Sequence, residues 1–130
     1  MMKVPFQEGT TKMWKIDNAS FEQLVAGKKK VEVKIVTSDT KEIFEKDMII
    51  FFGHDGHKFM VVRRAKFKDF EDLLNLEKPE DIYPGKDRNG VLTELRSKFP
   101  RAKEKFGVYA FELTPYEPER MIVPKIIRHA

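Results

Sequence analysis

The chain has no cysteine, which excludes disulfide bonds, thiolate metal centres and a nucleophilic thiol together. Histidine is nearly as scarce: of three residues, His54 and His57 share the stretch GHDGH, and His129 stands beside the last residue. With Asp55 they outline a metal-like spacing, but Asp55-Gly56 is turn chemistry and no further soft ligand is close in sequence. Long apolar runs are missing too. MIIFF at 48–52 falls far short of the roughly 20 residues that a membrane-crossing helix needs, and the opening MMKVPFQEGT lacks the apolar core of a secretory leader. GKDRNG, residues 85–90, is too poor in glycine for a phosphate loop, and no Ser-His-Asp arrangement stands out. The expectation is a cytosolic protein without membrane partner, metal or cofactor, whose chemistry rests on Lys, Glu, Asp, His, Ser, Thr or Tyr.

Charge is abundant. Of 130 residues, 25 are Lys or Arg and 21 are Asp or Glu, giving a net charge of +4 and a pI near 9.2. The length suits one domain with one core, and no composition break marks a second, so residues 1–130 are expected to form a single domain. The basic surplus suits a polyanionic partner.

Hydrophobic periodicity gives the element order. KMWKI (12–16) reads as a strand, and SFEQLVAG (20–27) as a short helix opened by a Ser20-x-x-Gln23 capping box and closed by Gly27, with Phe21, Leu24 and Val25 buried. KVEVKIV (30–36) alternates strictly, with Val31, Val33 and Ile35 on one face and Lys30, Glu32 and Lys34 on the other. DMIIFF (47–52) and KFMVVRRAKF (58–67) form a hairpin about the Asp55-Gly56 turn. Short helical pieces broken by Pro79, Pro84 and Gly85 follow, then a helix over VLTELRSKF stopped by Pro100, and the strand FGVYAFEL. The class is α+β, most simply a small, mostly antiparallel barrel with short helices covering its openings.

The stretch GKKKVEVK, Gly27 to Lys34, carries five charged residues in eight. A glycine at the helix end lets the chain turn sharply and puts Lys29 at the barrel rim, while Glu32 and Lys34 project from one strand face. In a cleft, Glu32 accepts hydrogen bonds from a base amino group and the lysines meet phosphate or carbonyl oxygens. On an open surface the same residues are a solvated strand face with weak ion pairs.

The spacing Gly27-x-Lys29-x-x-Glu32-x-Lys34, after a capped helix and before an Asp47-led strand, resembles the Gly-x-Lys-x-x-Glu-x-Arg signature of the ASCH domain family. The resemblance covers roughly residues 12–114 and leaves 115–130 as a C-terminal extension. Lys34 stands where the signature has Arg, and Lys46-Asp47 where a Gly-Asp pair is common. The resemblance implies a PUA-like pseudo-β-barrel with a cleft that binds RNA or a modified nucleoside. Some small family members are amidohydrolases that deacylate N4-acetylcytidine with a lysine, a threonine and a later acid. Those positions correspond here to Lys29, to Glu32, and to Asp87 or Arg88, with Glu94 as a substitute acid.

Three further features bear on binding. Arg63 shares the parity of Phe59, Val61, Ala65 and Phe67, so either it pairs with Glu32 from the apolar face or a bulge at Arg63-Arg64 turns both outward. RSKFPRAKEKF (96–106) packs five basic residues around Phe99 and Phe106, as a nucleic-acid surface or as a soluble loop with its rings in the core. Tyr83, in a turn over the barrel mouth, is the exposed stacking candidate. The ligand-binding set is therefore Gly27, Lys29, Glu32, Lys34, Arg63 and Tyr83. Charge reversal at Lys29 is expected to abolish binding with little effect on stability. The alternatives are an amidohydrolase using Lys29 and Glu32, and a protein-interaction role for the tail that contains MIVPKII.

Overall fold

A computed structural model describes residues 9–116; the tail with MIVPKII, and His129, lie outside them. The elements are β1 Thr11–Trp14, α1 Asn18–Val25, β2 Val31–Ile35, a 3₁₀ turn Thr40–Glu42, β3 Met48–Phe51, β4 Phe59–Phe67, α2 Phe70–Leu76, α3 Pro79–Ile82, α4 Arg88–Lys98, α5 Arg101–Glu104 and β5 Val108–Pro115. The strands form one sheet in the order β1-β3-β4-β5-β2, antiparallel except for the β1–β3 pair. The α+β class is as expected.

A closed barrel is not. The outer strands β1 and β2 do not pair, so the ladder stays open between them. The sheet nevertheless rolls. Trp14 on β1 lies 5.4 Å, centroid to centroid, from Phe111 on β5, three strands away, where a flat sheet would hold them about 14 Å apart. Lys34 on β2, one strand further, has its ammonium 4.6 Å from the Trp14 ring. Side chains meet across a gap that backbone hydrogen bonds do not span.

Two cores flank the sheet. Val31, Val33, Ile35, Phe67 and Val108 pack under Phe70, Leu73, Ile82, Val91 and Leu95 of the helices. Trp14, Phe51, Phe59, Tyr109 and Phe111 fill the inside of the roll with Phe21 and Leu24 of α1. β4 serves both because its register with β5 shifts between Val61 and Arg63. Phe59 and Val61 belong to the inner core, and Phe67, with Ala65 packed against it, to the helix-covered one. One alternating pattern in sequence thus becomes two faces in space. The bulge falls at Val62, one residue before the expected place, because Arg63 is held by Glu112 opposite it on β5.

α1 starts earlier than its expected capping box. Asp17 is the N-cap, its carboxylate accepting from the Ser20 N–H at 3.0 Å, which leaves Ser20 inside the first turn and buried. Phe21 and Leu24 are buried as expected, but Val25 is exposed. Gly27 follows with φ +78°, as the turn out of the helix requires. Lys46 shares that left-handed conformation with φ +78°. Beside it, buried Asp47 accepts from the N–H groups of Thr10 and Phe44. A Gly-Asp pair is the favourable sequence for such a corner.

Candidate functional site

The charged face of β2 lies inside the roll, at the open gap. Glu32 and Lys34 stand opposite Phe111 and Tyr109 of the inner core, and both are half-buried, not solvated. The loop before them is pinned at both ends. The Lys28 and Lys29 N–H groups donate to the Gln23 carbonyl, and the Lys30 N–H donates to the Asp81 carbonyl beneath α3.

These anchors turn Lys29 inward. Its side chain is 2% exposed, whereas a rim position was expected. Its ammonium donates to the Ile82 carbonyl at 2.6 Å, pairs with the Glu32 carboxylate at 3.1 Å and lies 4.8 Å from the centre of the Tyr83 ring. Tyr83 is itself buried, contrary to the exposed ring expected, because Lys29 and Lys98 both lie against it. Glu32 keeps 12% of its side chain exposed, so a ligand reaches it more readily than Lys29.

Lys98, in the last turn of α4, completes the rim. Its ammonium is 5.2 Å from the Tyr83 ring centre and 3.5 Å from Asp17 at the start of α1. Three lysines, Glu32, Asp17 and Tyr83 therefore surround the gap, with Trp14 on its far side. Their titrations reflect this crowding. Burial holds the Lys34 ammonium below the usual lysine range; Glu32 opposes the shift, and Lys98 and Lys29 add to it. Burial pulls Lys98 the same way, but its hydrogen bond to the Tyr83 phenol, with the charges of Glu32 and Asp17, outweighs burial and raises it. Burial also pushes the Tyr83 phenol up, against the pull of Lys98. For Asp17, burial raises the carboxyl, yet its Ser20 hydrogen bonds and Lys98 bring it below its ordinary value.

Beyond Lys34 the gap widens into a cavity of about 490 Å³ between β1 and the segment after β2, lined by Lys12, Trp14, Lys34, Thr37, Thr40 and Ile43 among others. That is the size of a small-molecule pocket.

Other expected site residues fall elsewhere. Arg63 does not meet Glu32. Its guanidinium forks onto both oxygens of Glu77 at 2.8 and 2.7 Å and donates to Glu112 at 2.8 Å, which raises its pKa further above the arginine range. Asp87 is the N-cap of α4, accepting from the Gly90 N–H. Glu94 pairs with Lys86 at 3.9 Å, and its charge acts on Tyr83. His54 stacks on Phe21 at 3.7 Å, and His57 meets the same ring edge-on. In the basic segment, Phe99 packs into the helix-side core and Phe106 is exposed. Arg96 is engaged by Glu104 and Glu71.

Sequence reasoning missed Trp14, Asp17 and Lys98 as cleft residues. The single tryptophan at the end of an edge strand was the available signal for the first. Nothing local marks Lys98, which is one cation of a run of many.

The fold and the gap define a small α+β domain with a rolled, open five-stranded sheet. Two solved structures are similar to it. The crystal structure of hypothetical protein PH0355 matches with a TM-score of 0.76 at 28% identity, over 83% of this chain and 100% of that one. The solution NMR structure of protein PF0455 from Pyrococcus furiosus matches with a TM-score of 0.70 at 27% identity, over 82% and 98%. Neither name carries a function. No protein-family profile matches the chain, and no curated protein does. Among the described residues no helix is long and apolar enough to cross a membrane.

Proposed function

We propose that the chain is an ASCH-like, PUA-like domain of the cytosol that binds single-stranded RNA, or a modified nucleoside within it, in the gap between β1 and β2. The observation that supports the reading is the arrangement at that gap: the Glu32 carboxylate, partly accessible and paired with Lys29, with Lys34, the Lys98–Asp17 pair and a single indole around it. The carboxylate accepts from base amino groups, the two outer lysines meet phosphates, and Lys29 holds Glu32 in place. Gly27 contributes by shaping the loop, and Tyr83 by supporting the two lysines against its ring. Arg63 is assigned to the scaffold.

An amidohydrolase is the weaker reading. The Lys29 ammonium is committed to a carbonyl and a carboxylate, and among the described residues no serine or threonine hydroxyl bonds to it. Fluorescence anisotropy with a labelled single-stranded RNA tests the binding function. Lys34→Met and Lys98→Met should each weaken binding several-fold and lower the salt slope by about 0.7. Unchanged affinity in both variants removes the gap from the account, and acetate released from N4-acetylcytidine puts the hydrolase first.

A further inference from the structure

Among the described residues, the open edge of β2 carries main-chain groups without a hydrogen-bond partner. The alternation of the β2–β5 ladder is fixed at its two ends, where the Leu113 N–H donates to the Lys30 carbonyl and the Val36 N–H donates to the Gly107 carbonyl. With Val31 opposite Glu112 and Ile35 opposite Val108, the even residues, Glu32 and Lys34, bond to β5. The odd residues then turn their N–H and C=O groups to the open edge. The Thr40 hydroxyl confirms the direction by donating to the Ile35 carbonyl at 2.8 Å. Among the described residues the outward N–H and C=O of Val33 have no partner, although Val33 is only 4% exposed. Buried main-chain groups are rarely left unpaired.

We propose that the main-chain edge of β2 at Val33 reads the hydrogen-bonding edge of one unpaired nucleobase, its N–H donating to a base acceptor and its C=O accepting from a base donor. The inference rests on the binding function proposed above and adds what the site recognises. One strand residue offers a donor and an acceptor side by side, the pattern that base edges present and a bare phosphate does not. A peptide adding as a strand fits less well. It must run past both ends of the edge, and one end is stopped by the Thr40 side chain bound to the Ile35 carbonyl. A planar base enters edge-on through the gap, while Lys34 and Lys98 at the rim meet the phosphates on either side. Glu32, on the same strand, adds an acceptor for an exocyclic amino group.

Amide hydrogen exchange read residue by residue by NMR tests this. In the free protein the Val33 amide should exchange faster than those of Glu32 and Lys34, which the ladder protects. Saturating short oligocytidylate, oligoadenylate or oligouridylate should slow Val33 at least tenfold with one or more of the three. An abasic oligonucleotide of equal length should bind through its phosphates and leave Val33 unchanged. Equal protection of Val33 in the free protein, or protection by the abasic chain, overturns the proposal. So does RNA binding that shifts Lys34 and Lys98 without slowing Val33, in which case the binding function survives. No shift at the gap with any oligonucleotide overturns both.

Discussion

Lys29 is enclosed so completely that its ammonium depends on the partners it has. Removing the carboxylate with Glu32→Ala leaves a buried charge with only the Ile82 carbonyl and the Tyr83 ring, which costs about 3–5 kcal/mol. The double variant Lys29→Met/Glu32→Leu should recover most of that, since it removes the charge together with its partner. Urea unfolding measures both. Charge reversal at Lys29, expected from the sequence to leave stability intact, should instead be destabilising for the same reason: a carboxylate at that place faces Glu32 and a carbonyl oxygen.

Lys34 and Lys98 part company with pH. Lys34 titrates below its unfolded value, so its charged form burdens the folded state at low pH, and the burden lifts as pH rises through the folded pKa. Lys98 titrates above its unfolded value, so its contribution is full below the usual lysine pKa and is lost as pH rises through the raised one. In a side-chain ammonium titration Lys34 should lose its proton before Lys98; the reverse order contradicts the burial assigned to Lys34 and the partners assigned to Lys98. Gly27, Lys29, Glu32 and Lys34 were legible in the sequence because they lie within eight residues on one turn and one alternating strand. Trp14, Asp17 and Lys98 were not, because separate elements bring them to the gap.

At the level of elements, local chemistry decided the details. Asp17 outcompetes Ser20 as the cap of α1, so Asp17→Ala should cost about 1 kcal/mol by thermal unfolding and also release Lys98. Asp17 and Ser20 are both good caps, and the sequence did not say which carboxylate or hydroxyl the chain geometry would present. The bulge in β4 was half legible. An arginine on an apolar parity announced a disturbance, but its place depended on Glu112 and Glu77, residues 49 and 14 positions away. Arg63→Ala should destabilise by about 1–2 kcal/mol, less than a sealed pair would, because the guanidinium is 41% exposed. Lys46 shows the opposite case, a residue working against its backbone. Lys46→Gly relieves a left-handed lysine at the cost of greater chain entropy in the unfolded state, and a net gain of about 0.5–1 kcal/mol is expected.

For the whole molecule, the order of elements along the chain and the α+β class followed from periodicity and turn residues, but the strand order within the sheet and its closure did not. Whether a five-stranded roll joins its edges depends on twist accumulated over all strands, and no single segment encodes that. Here the two edges stop short, and the separation puts the Lys34 ammonium over the Trp14 ring and leaves the outer side of Val33 outside a ladder. The most direct test is a titration of the labelled protein with a short single-stranded RNA, followed through backbone amides and the Trp14 indole N–H. The account predicts shifts concentrated at Trp14, Glu32, Lys34, Tyr83 and Lys98. Shifts confined to the basic surface at 101–106, or none at all, would contradict it.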